Sequence, residues 1–179
     1  MAGISIRKAE PADARRLADI AYRAWESGIF PLLTEQPGLK LAEQRRLAQA
    51  VAETLERIVV AEVDGIVVAW CSRSARRAYI PYLFVMPELQ GHGLGSTLLR
   101  RMESMLELEG AERVQLETPA DNVRAVRFYE KQGYRILALR PDGRAAHEPF
   151  MSVHLEKRLR PFEGEIEDGL VYVVRRGIR

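Results

Sequence analysis

From Leu83 to Ser96 the chain reads Leu-Phe-Val-Met-Pro-Glu-Leu-Gln-Gly-His-Gly-Leu-Gly-Ser. An apolar strand runs through a short turn into a helix start spaced by glycines. Gly91, Gly93 and Gly95 carry no Cβ, so the backbone can take positive φ and approach a ligand closely, with several N–H groups pointing the same way. The helix N-terminus adds unpaired donors and the positive end of the helix dipole. The segment therefore predicts a strand–loop–helix unit that holds the phosphate or pyrophosphate of a phosphorylated cofactor.

Elimination narrows the cofactor. A nucleoside-triphosphate loop needs a lysine directly after the glycines, and none follows here. A dinucleotide turn reads Gly-x-Gly-x-x-Gly; Gly91, Gly93 and Ser96 come within one side chain of it, which makes an NAD-binding oxidoreductase one competing reading. A second block lies downstream: Leu116-Glu117-Thr118-Pro119-Ala120-Asp121-Asn122, then Ala125-Val126-Arg127-Phe128-Tyr129-Glu130-Lys131-Gln132-Gly133-Tyr134.

Gln90-x-x-Gly93-x-Gly95 with Pro87 ahead of it resembles the pyrophosphate loop of the GCN5-related N-acetyltransferases (GNAT). The downstream block resembles the same family's strand end, helix-starting Asn and closing Phe-Tyr-Glu-Lys-x-Gly-Tyr. The resemblance is specific from about Val59 to Leu159. It implies an α/β fold with a mixed, largely antiparallel central sheet, a splayed parallel strand pair and flanking helices. It also implies direct transfer of the acetyl group of acetyl-CoA, as co-substrate, to a primary amine such as a peptide N-terminus, a lysine or a small amine. A non-catalytic acyl-CoA-binding regulatory module is the alternative. No metal is expected, because His92, His147 and His154 lack ligand spacing and no Cys-x-x-Cys occurs.

Composition bounds the remaining classes. A chain of 179 residues suits one domain with its own core. Its net charge of +2 and scattered basic residues give no nucleic-acid footprint. No apolar run approaches the roughly 20 residues of a membrane span. The N-terminus has no secretory pattern, and the lone Cys71, inside an apolar run, has no partner. Both point to the cytoplasm.

Periodicity gives a strand at Ile4–Arg7, a helix over Ala14–Ser27 with Leu17, Ile20, Ala21 and Ala24 on one stripe, and a loop from Gly28 to Lys40. A second helix is expected over Leu41–Arg57. Ile58–Val63 and Ile66–Cys71 flank Asp64-Gly65 as a hairpin. Tyr79–Val85 is the next strand, followed by a helix from about Gly93 to Glu109. A short strand at Val114–Glu117, a helix capped by Asn122 and ended by Gly133, and strands at Tyr134–Leu139 and Phe150–Leu159 complete residues 1–160. Residues 161–179 form an extension, read as an added edge strand around Leu170–Arg176 or as a strand pairing with a second subunit in a homodimer.

The resemblance assigns the site residue by residue. Backbone groups of Leu83, Phe84 and Val85 would bind the pantetheine amides, with an N–H near Val85 polarising the thioester carbonyl. Gln90, Gly91, His92, Gly93, Leu94, Gly95 and Ser96 would hold the pyrophosphate, and Asn122 would touch the cofactor near its thioester end. Arg124 or Arg127 would reach phosphates or lie on a solvated helix face. Tyr129 is the expected general acid toward the leaving thiolate. An alkyl ammonium is neutral to only on the order of one part in a thousand at pH 7, so a base is needed. Members of the family commonly carry a glutamate in the strand before the glycine loop, and Tyr79–Val85 contains none. Glu117, placed as in ribosomal-protein N-terminal acetyltransferases, is the replacement, with Tyr82 acting through water as the second candidate. Acceptor choice falls to Tyr22, Trp25, Glu26, Phe30 and the Arg140–Pro149 loop, with Trp25 equally readable as a core aromatic.

Overall fold

The computed structural model describes residues 3–34, 36–75, 78–141 and 151–159, and the backbone of 164–167 and 170–173. The chain begins with β1 (Ile4–Lys8) and helix α1 (Ala14–Gly28). Between them the Asp13 carboxylate accepts from the Glu10 N–H at 2.8 Å and from both terminal nitrogens of Arg7 at 2.7 and 3.0 Å, which fixes the helix entry. One face of α1 buries Leu17, Ile20, Ala21 and Trp25, so three residues of the predicted stripe lie on the core face while Ala24 is only half-buried and Trp25 takes the buried place beside it.

Helix α2 spans Leu39–Thr54, two residues earlier than periodicity suggested. Gly38, at φ 81°, turns the chain directly into it, and the last expected residues tighten into a 3₁₀ turn at Leu55–Arg57. Within the expected loop, Phe30–Leu32 also forms a 3₁₀ turn.

Strands β2 (Ile58–Val63) and β3 (Ile66–Ser72) form the anticipated hairpin, with Asp64 at φ 52° and Gly65 at φ 78°. β4 is shorter than predicted, Tyr82–Val85 rather than Tyr79–Val85. Pro81 has no N–H to give a ladder, and upstream of it the chain pairs elsewhere: Tyr79 makes a parallel bridge with Gln115. There the Ile80 N–H donates to the Gln115 carbonyl and the Gln115 N–H to the Ala78 carbonyl, both at 2.9 Å.

Helix α3 (Leu94–Leu108), β5 (Arg113–Pro119), α4 (Val123–Lys131), β6 (Arg135–Pro141) and β7 (Met151–Arg158) follow. The strands make an antiparallel sheet β1-β2-β3-β4 and a second, β5-β7-β6, joined at the Tyr79–Gln115 bridge. This is the mixed, largely antiparallel arrangement with a splayed parallel pair expected from the sequence. Past the bridge, β4 turns to β3 while β5 turns to β7, and the two strands separate into an open slot. In the C-terminal extension, β8 (Gly164–Glu167) and β9 (Leu170–Val173) pair with each other in a two-stranded sheet. Within the extension, Leu170–Val173 of the expected strand thus has Gly164–Glu167 as its neighbour.

The core is continuous from α1 through β2 and β3 to α3. Trp70 on β3 is fully buried, and its indole N–H donates to the Leu17 carbonyl at 2.9 Å. Beneath α3, Glu103 is buried but doubly held: the Tyr134 hydroxyl donates to one oxygen at 2.8 Å and Lys157 to the other at 2.6 Å. That network ties α3 to the end of α4 and to β7.

Candidate active site

The slot between β4 and β5 opens into a cavity of about 490 Å³ that runs from the glycine loop to the α1 side of the sheet. Its first part is backbone. The Met86 N–H donates to the Val68 carbonyl on β3 at 2.9 Å. By the alternation of an antiparallel ladder, the Phe84 amide then faces β3, and those of Leu83 and Val85 face the slot. The backbone role expected of all three thus divides: Leu83 and Val85 present N–H and C=O to the slot, while Phe84 contributes its ring, 5.1 Å from that of Trp70. Gln90 folds back, its Nε2 donating to the Val85 carbonyl at 3.0 Å, and so fixes the loop to the strand end.

The loop conformation needs glycine at two points. Gly91 and Gly93 both have φ 84°, with nothing within 4 Å of where a Cβ would stand. Gly93 is the residue from which α3 starts, so the free amides at the head of this helix face the cavity. Gly95 is different. A Cβ there would lie 3.4 Å from Phe128 and 3.6 Å from Val85, which makes it a close-packing position.

Gln90, Gly91, Gly93, Gly95 and Ser96 line the cavity; His92 and Leu94 do not. The His92 ring is exposed, with Nδ1 3.1 Å from the Gln90 carbonyl, and the Leu94 side chain lies in the core. Asn122 caps α4, its Oδ1 accepting from the Ala125 N–H at 3.2 Å, and it also lines the cavity. Arg124 and Lys131 of α4 line it; Arg127 does not. A cradle of helix-start amides beside these two cations fits a phosphorylated ligand.

Deeper in, Tyr129 lies against Phe128 and Tyr134, with ring centroids 5.1 and 5.7 Å away. Burial pushes its phenol above the usual range, and nearby Cys71 and Tyr79 add to the effect. Tyr129 is therefore a neutral O–H donor. Cys71 is fully buried and its thiol is pushed up by burial, which makes it inert as a nucleophile.

On the opposite wall Glu117 projects from β5. Its carboxylate is 10% exposed, with Oε2 3.2 Å from Nε2 of His154. Tyr82 also lines the cavity, its ring 5.9 Å from that of Phe84. Trp25 unites both of its sequence readings: it is 3% exposed in the core and it lines the cavity. Its indole nitrogen is buried without a hydrogen-bond partner among the described residues. Tyr22, Glu26 and Phe30 lie off this cavity; Tyr22 donates to Glu26, Glu26 accepts from Lys40, and Lys40 sits 4.5 Å above the Phe30 ring. Glu148 and most of the Arg140–Pro149 loop lie outside the described residues.

Sequence reasoning did not select Arg46, Ser152 or His154. Arg46 on α2 lines the cavity and bonds Glu43, a carboxylate fully buried in the same helix. Ser152 and His154 lie on β7, opposite Pro119 and Glu117. Their signal is register, which appears only once β5 and β7 are aligned. No group of His, Cys, Asp and Glu suited to a metal ion occurs among the described residues.

Splayed strands over a glycine-started helix place the chain among mixed α/β folds with an open slot at the helix head. The family model "Acetyltransferase (GNAT) family" matches residues 17–134, and the chain belongs to that family. A curated relative, the Bacillus subtilis (strain 168) "Uncharacterized protein YdhI", is 31% identical over 84 residues. That match covers 46% of this chain and 47% of the relative, so it spans about half of either length. Among solved structures, the PaiA N-acetyltransferase of Thermoplasma acidophilum in complex with coenzyme A superposes with a TM-score of 0.74 at 18% identity, covering 88% of this chain and 99% of that one. The ribosomal-protein-S18-alanine N-acetyltransferase of Escherichia coli superposes with a TM-score of 0.65 at 18% identity, covering 95% and 100%. At these identities the superpositions establish the fold.

Proposed function

We propose that the protein transfers the acetyl group of acetyl-CoA directly to a primary amine. The observation that carries this is the continuity of one cavity: it joins Gly91, Gly93, Gly95 and Ser96 of the glycine loop, the slot-facing backbone of Leu83 and Val85, the Tyr129 phenol and the Glu117 carboxylate. The coenzyme A complex of the PaiA enzyme, with the same fold, supports the choice of donor. The co-substrate supplies an activated thioester, and the chain's own groups do the rest.

The loop amides with Arg124 and Lys131 hold the phosphates, and Asn122 offers its side-chain NH₂, since its oxygen is used in capping. The Val85 N–H, on the slot side, stabilises negative charge developing on the thioester oxygen. Glu117 takes the proton that the acceptor ammonium must lose. As the C–N bond forms and the C–S bond breaks, the second proton of the acceptor nitrogen passes to the departing sulfur, which leaves as the thiol, while the Tyr129 hydroxyl hydrogen-bonds that sulfur. A phenol made less acidic by burial is a poor source of a whole proton for a thiolate of pKa near 8.5. Its role narrows from the expected proton transfer to hydrogen-bond donation in a desolvated site.

Calorimetric titration with acetyl-CoA and, in parallel, NAD tests the donor, followed by thiol release against a panel of peptides, amino acids and polyamines. Saturable acetyl-CoA binding lost in Gly93→Val, with turnover on an amine, is the expected result. Preference for NAD overturns the reading. Tight acetyl-CoA binding with no transfer to any amine overturns its catalytic half and leaves a binding module.

A further inference from the structure

Glu117 and His154 form a cross-strand pair that the loop and helix motifs do not include. The register of β5 and β7 sets them directly opposite each other, with Nε2 of His154 3.2 Å from Oε2 of Glu117. That is within hydrogen-bond reach, and directly opposed residues are the closest side-chain neighbours an antiparallel sheet provides. The two differ in access. Glu117 lines the cavity and is 10% exposed, whereas His154 stands behind it and is 30% exposed. A carboxylate so far removed from water needs a donor to stay ionised and to hold one rotamer. The next acid on β7, Glu156, is engaged elsewhere: Gln115 donates to it at 2.8 Å and Arg113 lies 3.7 Å away.

We propose that His154 is a positioning residue for the amine-activating base: its Nε2–H donates to Oε2 of Glu117 and turns Oε1 toward the acceptor nitrogen. The hydrogen bond fixes the tautomer that carries the ring proton on Nε2. In the proton step the ammonium N–H bond breaks and its proton goes to Oε1; the freed lone pair then forms the C–N bond as the C–S bond breaks, the second N–H proton leaves with the thiol sulfur, and His154 keeps its own proton throughout. The inference rests on the acetyltransferase reading and adds to it the group that orients its base.

The test is a kinetic cycle on the full chain with acetyl-CoA and an amine that the wild type acetylates. Partners that orient a reacting ligand are typically worth about 10–100-fold. His154→Ala is expected to lower kcat about 10-fold with the KM for acetyl-CoA unchanged. His154→Gln, which returns an N–H at similar reach, restores kcat to within about 3-fold. In a Glu117→Gln background His154→Ala is expected to change kcat less than about 2-fold, because a group acting through Glu117 has nothing left to act on. The same loss in both backgrounds, or no loss in either, overturns the proposal. A turnover-independent readout accompanies it: long-range ¹H–¹⁵N spectra should show a slowly exchanging Nε2–H of His154 that disappears in Glu117→Gln, and its absence from the wild type also overturns the pair. Failure of the underlying reading is distinct: the wild type then shows the Nε2–H signal but acetylates no amine, which removes the catalytic role of the pair together with that reading.

Discussion

Replacing Lys157 with methionine isolates the cost of leaving the carboxylate under α3 without its cation. Glu103 is 8% exposed and is held from two sides, by Lys157 at 2.6 Å and by the Tyr134 hydroxyl at 2.8 Å. Lys157 is 25% exposed, so water reaches the site from its side. Removing one partner of a buried ion pair costs about 3–5 kcal/mol; the retained Tyr134 donor and the nearby water place Lys157→Met at the lower end, about 3 kcal/mol. With a urea m-value of about 2 kcal/mol/M, the midpoint should fall by about 1.5 M. Glu103→Gln leaves an amide that can still accept from Tyr134 and a lysine that can reach solvent, so its cost is smaller, about 1–2 kcal/mol. The double variant has no orphaned charge and should lie close to Glu103→Gln alone rather than at the sum of the singles. Urea denaturation of the four proteins at pH 7 decides the matter. A loss below about 1 kcal/mol in Lys157→Met, or strict additivity in the cycle, would refute the claim that a buried charge is being held.

Tyr129→Phe removes one hydroxyl and keeps the ring contacts to Phe128 and Tyr134, so kcat should fall about 10²-fold in thiol-release assays while the KM for acetyl-CoA stays within about 3-fold; an unchanged kcat removes it from the mechanism. Gly93→Ala and Gly95→Ala should move the thermal midpoint in opposite directions. The first forces alanine into φ 84°, a net loss of about 1 kcal/mol, and the second gains up to about 1 kcal/mol of helix propensity with a Cβ no closer than 3.4 Å to a neighbour; each corresponds to about 2–4 °C. The hydrogen bond from Arg7 holds the Asp13 carboxyl below its ordinary 3.8. Because the folded value is depressed, this contribution is complete above the unfolded pKa and is lost as pH falls through the folded one. The stability gap between wild type and Asp13→Asn should be constant near neutrality and close below about pH 4, and a gap unchanged down to pH 3 in urea titrations would contradict the assignment.

Elements built from local signals were legible in the sequence. Asp64-Gly65 dictates a two-residue hairpin turn whatever surrounds it, Asn122 supplies its own cap to α4, and the α1 stripe states which face is buried. The element that departed most from expectation was β4. From Tyr79 to Val85 the run is uniformly strand-like, but its hydrogen-bond partner changes from β5 to β3 at Pro81, and a partner change leaves no mark on hydropathy.

The two halves of the cavity differ in legibility for a physical reason. On the proposed reading the donor end works through backbone amides, and a backbone that takes φ 84° at Gly91 and Gly93 writes glycine into the sequence at fixed spacing. The other end of the cavity, which the proposed reading gives to the acceptor, is lined by side chains from across the fold: Trp25 from α1, Arg46 from α2, Glu117 from β5 and Ser152 from β7. Each of these has an ordinary local reason for its place, a helix stripe or a strand alternation, so none stands out by itself. Glu117 is proposed on a family pattern, whereas His154, 37 positions later, draws notice only through the pairing that brings it within 3.2 Å. The acceptor's identity therefore depends on cross-element distances rather than on any contiguous motif. Variants on α1, α2 and β7 should accordingly alter amine selectivity without disturbing the glycine loop.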